Sequence, residues 1–269
     1  MRLIRTTILS LALAFGASAV LAQDLAQDTA SLSAEDYAAA VKKWRFLADQ
    51  GYADAQNSLG DMYENGKGVA QDLAEALKWY QLAAEQGYAD AQNSLGDMYG
   101  NGKGVAVDDV KAAQWYQLAA KQKLADAQYN LGIMYENGKG VAEDNVAAVK
   151  WYRLAARQKL TEAQYNLGVM YENGKGVAQD NAEALKWYQL AADEGYAKAQ
   201  NSLGNMYYAG KGVAEDVAEA VRWYQLAAEQ GADAQYNLGV MYENGEGVVE
   251  DDAEAVKWYS LAAEQGHAD

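Results

Sequence analysis

The sequence predicts an all-α protein, a solenoid of antiparallel helix pairs with six repeats of about 36 residues and an N-terminal capping helix. One glycine recurs every 36 residues, with a last step of 35, and such a period is typical of helical repeat arrays. A tryptophan follows the same period, and proline, which breaks helices, is absent from the 269 residues. The periodic glycines are Gly60, Gly96, Gly132, Gly168, Gly204 and Gly239.

The first 22 residues have the pattern of a secretory signal peptide. Residues 1–5 form a basic region with Arg2 and Arg5, a short apolar stretch follows, and Ala22 ends a small-residue cleavage pattern. The stretch is too short for a stable membrane span, so we expect no stable membrane insertion after cleavage; the alternative is a retained anchor. The sequence therefore predicts an exported chain, periplasmic or secreted, with residues 23–32 as a polar linker.

The sequence of residues 33–50 predicts a helix that caps the first repeat. Trp44 and Leu47 have the spacing of Trp79 and Leu82 in the first full repeat, and terminal repeats of solenoids are often atypical. The predicted repeats span residues 51–86, 87–122, 123–158, 159–194, 195–230 and 231–265. Residues 266–269 begin an incomplete further copy.

Each repeat is expected to contain two helices joined by a glycine turn. In the first repeat Ala55, Leu59 and Met62 lie on one helical face. Gly66 should end this helix in the left-handed conformation. Asp72 should cap the second helix and form a capping-box pair with Glu75.

Three further residues of the repeat have predicted roles. A glycine inside a helix is unfavourable by about 1 kcal/mol relative to alanine, so we expect Gly60 to allow close approach of Ala76 on the second helix. Trp79 should be a core residue. Lys67, in the turn, should be solvated.

Composition excludes several kinds of chemistry. Without cysteine, and with His267 as the only histidine, the chain lacks disulfides, thiolate nucleophiles and nearly all transition-metal chemistry, so we expect no metal site and no cofactor. The net charge is −16, and removal of Arg2 and Arg5 with the signal peptide leaves 20 basic against 38 acidic residues. Such a charge opposes nucleic acid as a partner and favours a neutral or basic protein or peptide.

The pattern AxAQxxLGxMYxxGxGVxxDxxxAxxWYxLAA begins at Ala53 and recurs through Ala263. It resembles the Sel-one-like repeat (SLR) family, a helix-turn-helix relative of the tetratricopeptide repeats. The resemblance implies a right-handed superhelix and a role as adaptor or scaffold, in bacteria often exported and tied to envelope signalling or host interaction. This chain departs from several exported members by lacking a cysteine pair in each repeat. Its sixth repeat is one residue short, which predicts a local kink.

The repeats differ most on one face of the first helix, and the resemblance places this face along a concave groove. Variation on a rigid scaffold is typical of a recognition surface. Repeats three, four and six carry Tyr-Asn where the others carry Asn-Ser, so we expect an apolar-aromatic patch there. The alternative is that these tyrosines only pack between repeats. The predicted partner-binding residues are Asn57, Asp61, Asn93, Asp97, Tyr129, Asn130, Ile133, Tyr165, Asn166, Val169, Tyr236 and Asn237.

Two functions from different classes follow. The favoured one is an exported scaffold, not an enzyme, that binds a peptide or protein in the groove. The alternative is an envelope hydrolase, related to cell-wall or β-lactam chemistry, that uses groove carboxylates such as Asp61 and Asp97. No Ser-x-x-Lys motif exists, so a β-lactamase-like enzyme would lack its nucleophile.

The last repeat is followed by no polar capping helix in the sequence. Val256, Trp258, Tyr259 and Leu261 should therefore leave part of an apolar end face open, and array ends normally need a cap. We expect weak self-association through this C-terminal end; the alternative is that the sequence is a truncated one.

Overall fold

A computed structural model describes residues 34–266, which form thirteen helices and no strand. The helices are α1 Ala34–Asp49, α2 Ala53–Asn65, α3 Leu73–Glu85, α4 Ala89–Asn101, α5 Asp109–Lys121, α6 Ala125–Asn137, α7 Asn145–Arg157, α8 Thr161–Asn173, α9 Asn181–Asp193, α10 Ala197–Ala209, α11 Val217–Ala227, α12 Ala232–Asn244 and α13 Asp252–Glu264. The all-α prediction is confirmed, and α1 is the predicted capping helix. The predicted signal peptide, the linker and residues 267–269 lie outside the described residues.

The chain divides into two units, which are described separately. The N-terminal unit ends at Ala127, and the C-terminal unit begins at Gln128, within α6. None of the helices in the described range is long and apolar enough to cross a bilayer.

Each repeat is an antiparallel helix pair. In the first repeat the Asp72 amide, before α3, donates to the Tyr63 carbonyl near the end of α2 at 3.0 Å. At the other end, Gln86 Nε2 donates to Gln56 Oε1, near the start of α2, at 2.7 Å. The end of one helix therefore meets the start of the other. Alanine, leucine and methionine of the first helix and alanine and tyrosine of the second helix form the core between them.

The helix ends follow the sequence expectation with one exception. Gly66 ends α2 at φ 67°, and the Asp72 side chain accepts from the amides of Ala74 and Glu75. Glu75 does not complete a capping box, because the Asp72 amide already donates to Tyr63 and the Glu75 carboxylate pairs with Lys78 at 3.2 Å.

The periodic glycine faces an aromatic ring, which corrects the prediction that it faces alanine. A Cβ on Gly60 would lie 2.6 Å from ring carbons of Tyr80, closer than side chains pack. The other five periodic glycines meet the equivalent tyrosine in the same way. Ala76 and Tyr80 lie one turn apart on α3, so the helical period alone does not decide between them.

The tryptophan column is a packing element, as predicted. Trp44 and Trp79 are buried, and Trp115, Trp187 and Trp223 are partly buried against the cores of their neighbouring repeats. Their indole rings therefore supply apolar area between helices.

A column of buried glutamines joins successive helices, and the sequence reasoning did not assign it a role. Gln56 Nε2 donates to the Ala48 carbonyl of the preceding helix at 3.1 Å, while its Oε1 accepts from Gln86. Gln92 repeats both bonds with Ala84 and Gln122. Gln56 and Gln92 thus satisfy both ends of their side-chain amides, as a buried polar group requires. The column comprises Gln56, Gln92, Gln128, Gln164, Gln200 and Gln235.

The missing residue of the sixth repeat has a local structural effect. Helix α11 has 11 residues, whereas the other second helices have 13. It ends at Ala227, and Gly231 precedes α12 in an extended conformation with φ −129°. The preceding helix is therefore shortened.

Candidate functional site

The predicted site residues lie on the first helix of each repeat. We call this surface the first-helix face and define it by three positions, which are Asn57, Ser58 and Asp61 in the first repeat. The equivalent positions in the C-terminal unit are Tyr129, Asn130, Ile133, Tyr165, Asn166, Val169, Asn201, Ser202, Asn205, Tyr236, Asn237 and Val240.

In the N-terminal unit the predicted aspartates are held by neighbouring side chains. Tyr80 Oη lies 2.7 Å from Asp61 Oδ1 and 2.9 Å from a Glu64 carboxylate oxygen. Asn57 Nδ2 donates to the other Asp61 oxygen at 3.3 Å. The carboxylate of Asp61 therefore helps to fix the second helix against the first.

Burial changes the ionisation of this group. It raises the pKa of Asp61 to about 6, and the nearby Glu64 and Asp90 carboxylates act in the same direction. The Tyr80 hydrogen bond and the Lys67 charge lower the pKa but do not offset burial. The residue as a whole is exposed, while its carboxylate accepts a hydrogen bond from the partly buried Tyr80 hydroxyl.

The second repeat repeats this arrangement more simply. Asn93 and Tyr116 contact Asp97 at 3.3 and 2.7 Å. Gly100 stands where the first repeat has Glu64, so a second carboxylate is missing from this position. Burial again raises the pKa of Asp97.

In the C-terminal unit the first-helix tyrosines are half-buried and pack on the second helix. The ring of Tyr129 lies 5.8 Å from that of Tyr152, and the ring of Tyr165 lies 5.6 Å from that of Tyr188. Tyr236 packs in the same way in the sixth repeat. These distances are within the range of favourable aromatic pairs, so the three tyrosines contribute to packing.

Polar side chains connect the first helices of successive repeats in this unit. Asn166 on α8 lies close enough to Tyr129 on α6 to oppose the rise in pKa that burial causes, and Ser202 on α10 does the same for Tyr165. Asn237 Nδ2 donates to Asn201 Oδ1 at 2.9 Å. The first-helix face of the C-terminal unit is therefore one connected polar and aromatic surface.

The apolar residues of this surface are only partly covered. Ile133 and Val169 are half-buried, each beside the core of its own repeat pair. Ile133 lies one helical turn after Tyr129 on α6, and Val169 lies one turn after Tyr165 on α8, the first helix of the next repeat.

The turn lysines are about half exposed, as predicted, and some of them also pair with a glutamate of the preceding repeat. Lys103 Nζ lies 3.0 Å from Glu64, one repeat earlier, and Lys211 lies 3.8 Å from Glu172. In the sixth repeat both partners change together: Glu246 replaces the lysine and accepts from Tyr208 at 2.8 Å. In these repeats the side chain at the turn position therefore complements its contact residue in the preceding repeat.

Two features were missed by the sequence reasoning. A pocket of about 570 Å³ lies where α10 and α12 begin, and its only sequence signal was the missing residue of the sixth repeat. Leucines on the second helices are exposed by 38 to 49%, and their regular spacing was the available signal. They are Leu82, Leu118, Leu190 and Leu226.

The described residues hold no group of three or more His, Cys, Asp or Glu side chains suited to a metal ion. At the C-terminal end Val256 is 63% exposed, and Trp258, Tyr259 and Leu261 are half-buried. Self-association through these residues stays a prediction.

A family model described as Sel1 repeat matches the chain six times in succession. The matches cover residues 53–88, 89–124, 125–160, 161–196, 197–231 and 232–267. Each begins two residues after the predicted boundary in the first five repeats and one residue after it in the sixth. A search of curated proteins gave no match.

Two solved structures resemble the chain over most of its length. A Sel1 repeat protein from Oxalobacter formigenes is 31% identical with a TM-score of 0.81, and the match covers 93% of this chain and 98% of that one. The antigen c5321, described as protective and present in uropathogenic Escherichia coli strains, displays an SLR fold. It is 40% identical with a TM-score of 0.81 over 84% of this chain, which spans only 49% of that protein.

Proposed function

This chain belongs to the Sel1 repeat family, and we propose that it is an exported scaffold that binds a neutral or basic protein or peptide on its first-helix face. The family commonly mediates protein–protein interaction. The observation that carries the proposal is the connected surface of half-buried tyrosines, amides and apolar side chains in the C-terminal unit. Tyrosine and asparagine are frequent in recognition surfaces, because they combine buried area with hydrogen bonding.

Charge and location add support. The net charge of −16 favours a basic partner through long-range attraction. The basic and apolar start of the sequence is typical of export, and the similar c5321 is described as an antigen. A role in envelope signalling or host interaction is consistent with such a location.

The repeats provide their own substitutions for a test. Changing Tyr129→Asn, Asn130→Ser and Ile133→Asn gives the third repeat the residues that the fifth repeat carries at these positions. The fold already accommodates these residues in α10, so we expect a small change in thermal stability. The patch loses an aromatic ring and a branched apolar side chain, so we expect at least about a tenfold loss in partner affinity.

The measurement begins with affinity capture of a partner from an envelope extract by the mature chain. Binding of the purified partner to the wild type and the triple variant is then compared by calorimetry, with thermal melts as the folding control. Unchanged affinity in a folded variant would contradict the proposal, as would failure to retain any protein above a blank resin.

The raised pKa of Asp61 favours one alternative function. A carboxyl group that titrates near pH 6 can act as a general acid in a cell-wall or β-lactam-related hydrolase. Asp61 also lines a pocket of about 290 Å³ with Tyr37, Ser58 and Lys67. Loss of hydrolysis in Asp61→Asn would support this enzyme, whereas a wild type without turnover on peptidoglycan and β-lactam substrates would exclude these two reactions.

A further inference from the structure

The pocket at the start of α10 and α12 lies where the sixth repeat lacks one residue. In other repeats a tyrosine or leucine directly precedes the first helix and packs, partly buried, against the core. This slot holds Tyr52, Tyr88, Leu124, Leu160 and Tyr196. In the sixth repeat Gly231 directly precedes Ala232, so no side chain fills the equivalent place.

The cores of the other repeat pairs contain the side chain that is missing from the sixth repeat. Tyr52, Tyr88, Leu160 and Tyr196 each pack against the core of their repeat pair. The core of the fifth and sixth repeats contains no such residue. Gly231 and Ala232 instead line a pocket of about 570 Å³, and sites that hold small molecules commonly measure about 300–1,000 Å³.

Aromatic side chains form one wall of the pocket. The rings of Tyr165 and Tyr196 both line it, with centroids 5.3 Å apart and planes at 57°. A third ring placed beside them would extend an existing tilted pair, which is a favourable aromatic arrangement.

The pocket also carries a positive charge, which is attracted to the negative face of an aromatic ring. Lys198 lines the pocket and is exposed, and it forms no ion pair within residues 34–266. The other repeats carry a carboxylate at this position: Asp54, Asp90, Asp126, Glu162 and Asp233. An ammonium group complements the negative face of an aromatic ring, and this attraction is worth about 0.5–2 kcal/mol.

We propose that this pocket receives a tyrosine or tryptophan side chain of the protein partner, which takes the place that the missing residue fills in other repeats. Asn201, Ser202 and Asp233 also line the pocket and offer hydrogen-bond groups to a phenol or indole. The inference rests on the proposed function, because it supplies an anchor for a partner on the same unit.

The test uses small probes on the full mature chain. Acetyl-Ala-Tyr-Ala-amide and its tryptophan analogue are titrated against the labelled protein, with acetyl-Ala-Ala-Ala-amide as the control. We expect saturable changes in the amide signals of Lys198 and Ala232 with the aromatic probes, at least about tenfold weaker with the alanine probe. No saturable change, or equal changes with all three probes, would overturn the proposal.

The matched variant restores the regular period by inserting one tyrosine between Gly231 and Ala232. The inserted side chain should fill the slot, keep or raise the melting temperature, and abolish probe binding. Lys198→Asp, which introduces the residue type of the other repeats, should weaken probe binding several-fold in a folded chain. Probe binding that survives the insertion would overturn the proposal.

The outcomes of these experiments distinguish a failure of the pocket proposal from a failure of the proposed scaffold function. Probe binding in a chain that captures no protein would leave the pocket intact and reject the scaffold function. Partner binding that needs the third-repeat patch but is unaffected by the insertion would reject the pocket as an anchor. A second copy of the chain could instead fill the pocket. Light scattering would then show that the wild type self-associates and the insertion variant does not. This result would also overturn the proposal that the pocket binds a side chain of another protein.

Discussion

Single residues explain where the glutamine column is complete and where it is broken. The buried Gln164 Oε1 has no hydrogen-bond partner among the described residues. In the first, second, third and sixth repeats a glutamine thirty residues later donates to this oxygen, as Gln158 does to Gln128 at 2.9 Å. Glu194 occupies that place in the fourth repeat, and an ionised carboxylate has no hydrogen to donate.

Glu194→Gln should therefore complete the column. We expect the free energy of unfolding to rise by about 1 kcal/mol, because a buried acceptor gains its donor. Urea denaturation near pH 7 measures the change. Gln158→Glu is the matched control and should lower stability by a similar amount; equal stabilities of both variants and the wild type would contradict the account.

A second residue-scale effect concerns backbone conformation. Lys159 has φ 68° in the turn before α8, whereas Gly195 occupies the equivalent turn before α10 with φ 82°. Residues other than glycine are strained in this left-handed region. A Cβ at Gly195 would meet no atom within 4 Å, so backbone strain rather than crowding distinguishes the two residues.

Lys159→Gly should stabilise the chain by about 0.5–1 kcal/mol, since relief of left-handed strain exceeds the added flexibility of the unfolded state. The reverse change, Gly195→Lys, should destabilise it by a similar amount. Thermal unfolding at one pH checks both, and a loss of stability in Lys159→Gly would show that the turn is not strained.

At the scale of elements, each helix pair is joined by a tyrosine hydroxyl and a polar residue on the first helix. Tyr80 contacts Asp61, whereas Tyr224 contacts Asn205 at 2.8 Å in the fifth repeat. The carboxylate of Asp61 has a pKa raised to about 6 by burial, so the folded state holds a proton more tightly than the unfolded chain. This group therefore lowers stability as pH rises from about 4 through 6.

Asp61→Asn removes that titration and copies the fifth repeat. The variant should gain stability relative to the wild type at pH 8, and the gain should shrink as pH falls below the raised pKa. Denaturation midpoints of both proteins are measured at pH 4.5, 6 and 8. The effects of the other titrating groups cancel when the stability of the wild type is subtracted from that of the variant. A difference that is constant with pH, or largest at pH 4.5, would contradict the raised pKa.

Helix positions and turns could be predicted from the sequence, because glycine, aspartate and the apolar period act locally. Contacts between helices were less predictable. The period places both Ala76 and Tyr80 on the inner face of α3, but only the register of the pair decides which one meets Gly60. The missing residue in the sixth repeat was visible, yet whether it kinks the chain or opens a pocket depends on three-dimensional packing.

The predicted site shows the same division between pattern and packing. Variation between repeats located the first-helix face, and the structure places Asn166 near Tyr129 and Ser202 near Tyr165 on it. That the tyrosines also pack on the second helix depends on their distance from Tyr152 and Tyr188, which sequence spacing does not give. Tyr129 and Tyr165 therefore belong to both the fold and the proposed surface.

At the scale of the whole molecule, two apolar surfaces compete as the place of partner binding. The first-helix face combines half-buried apolar and aromatic groups with amides, whereas the second helices expose isolated leucines such as Leu190 at 47%. Single exposed leucines are normal on protein surfaces and need no partner. The repeated presentation of polar and aromatic groups together favours the first-helix face.

Site-specific photo-crosslinking with the captured partner tests this choice most directly. A photoreactive phenylalanine derivative replaces Val169 on the first-helix face in one variant and Leu190 on the second helix of the same repeat in another. Both variants must melt like the wild type. The scaffold account predicts a partner adduct from position 169 and none from position 190. Adducts from position 190 alone, or equal yields from both, would contradict it.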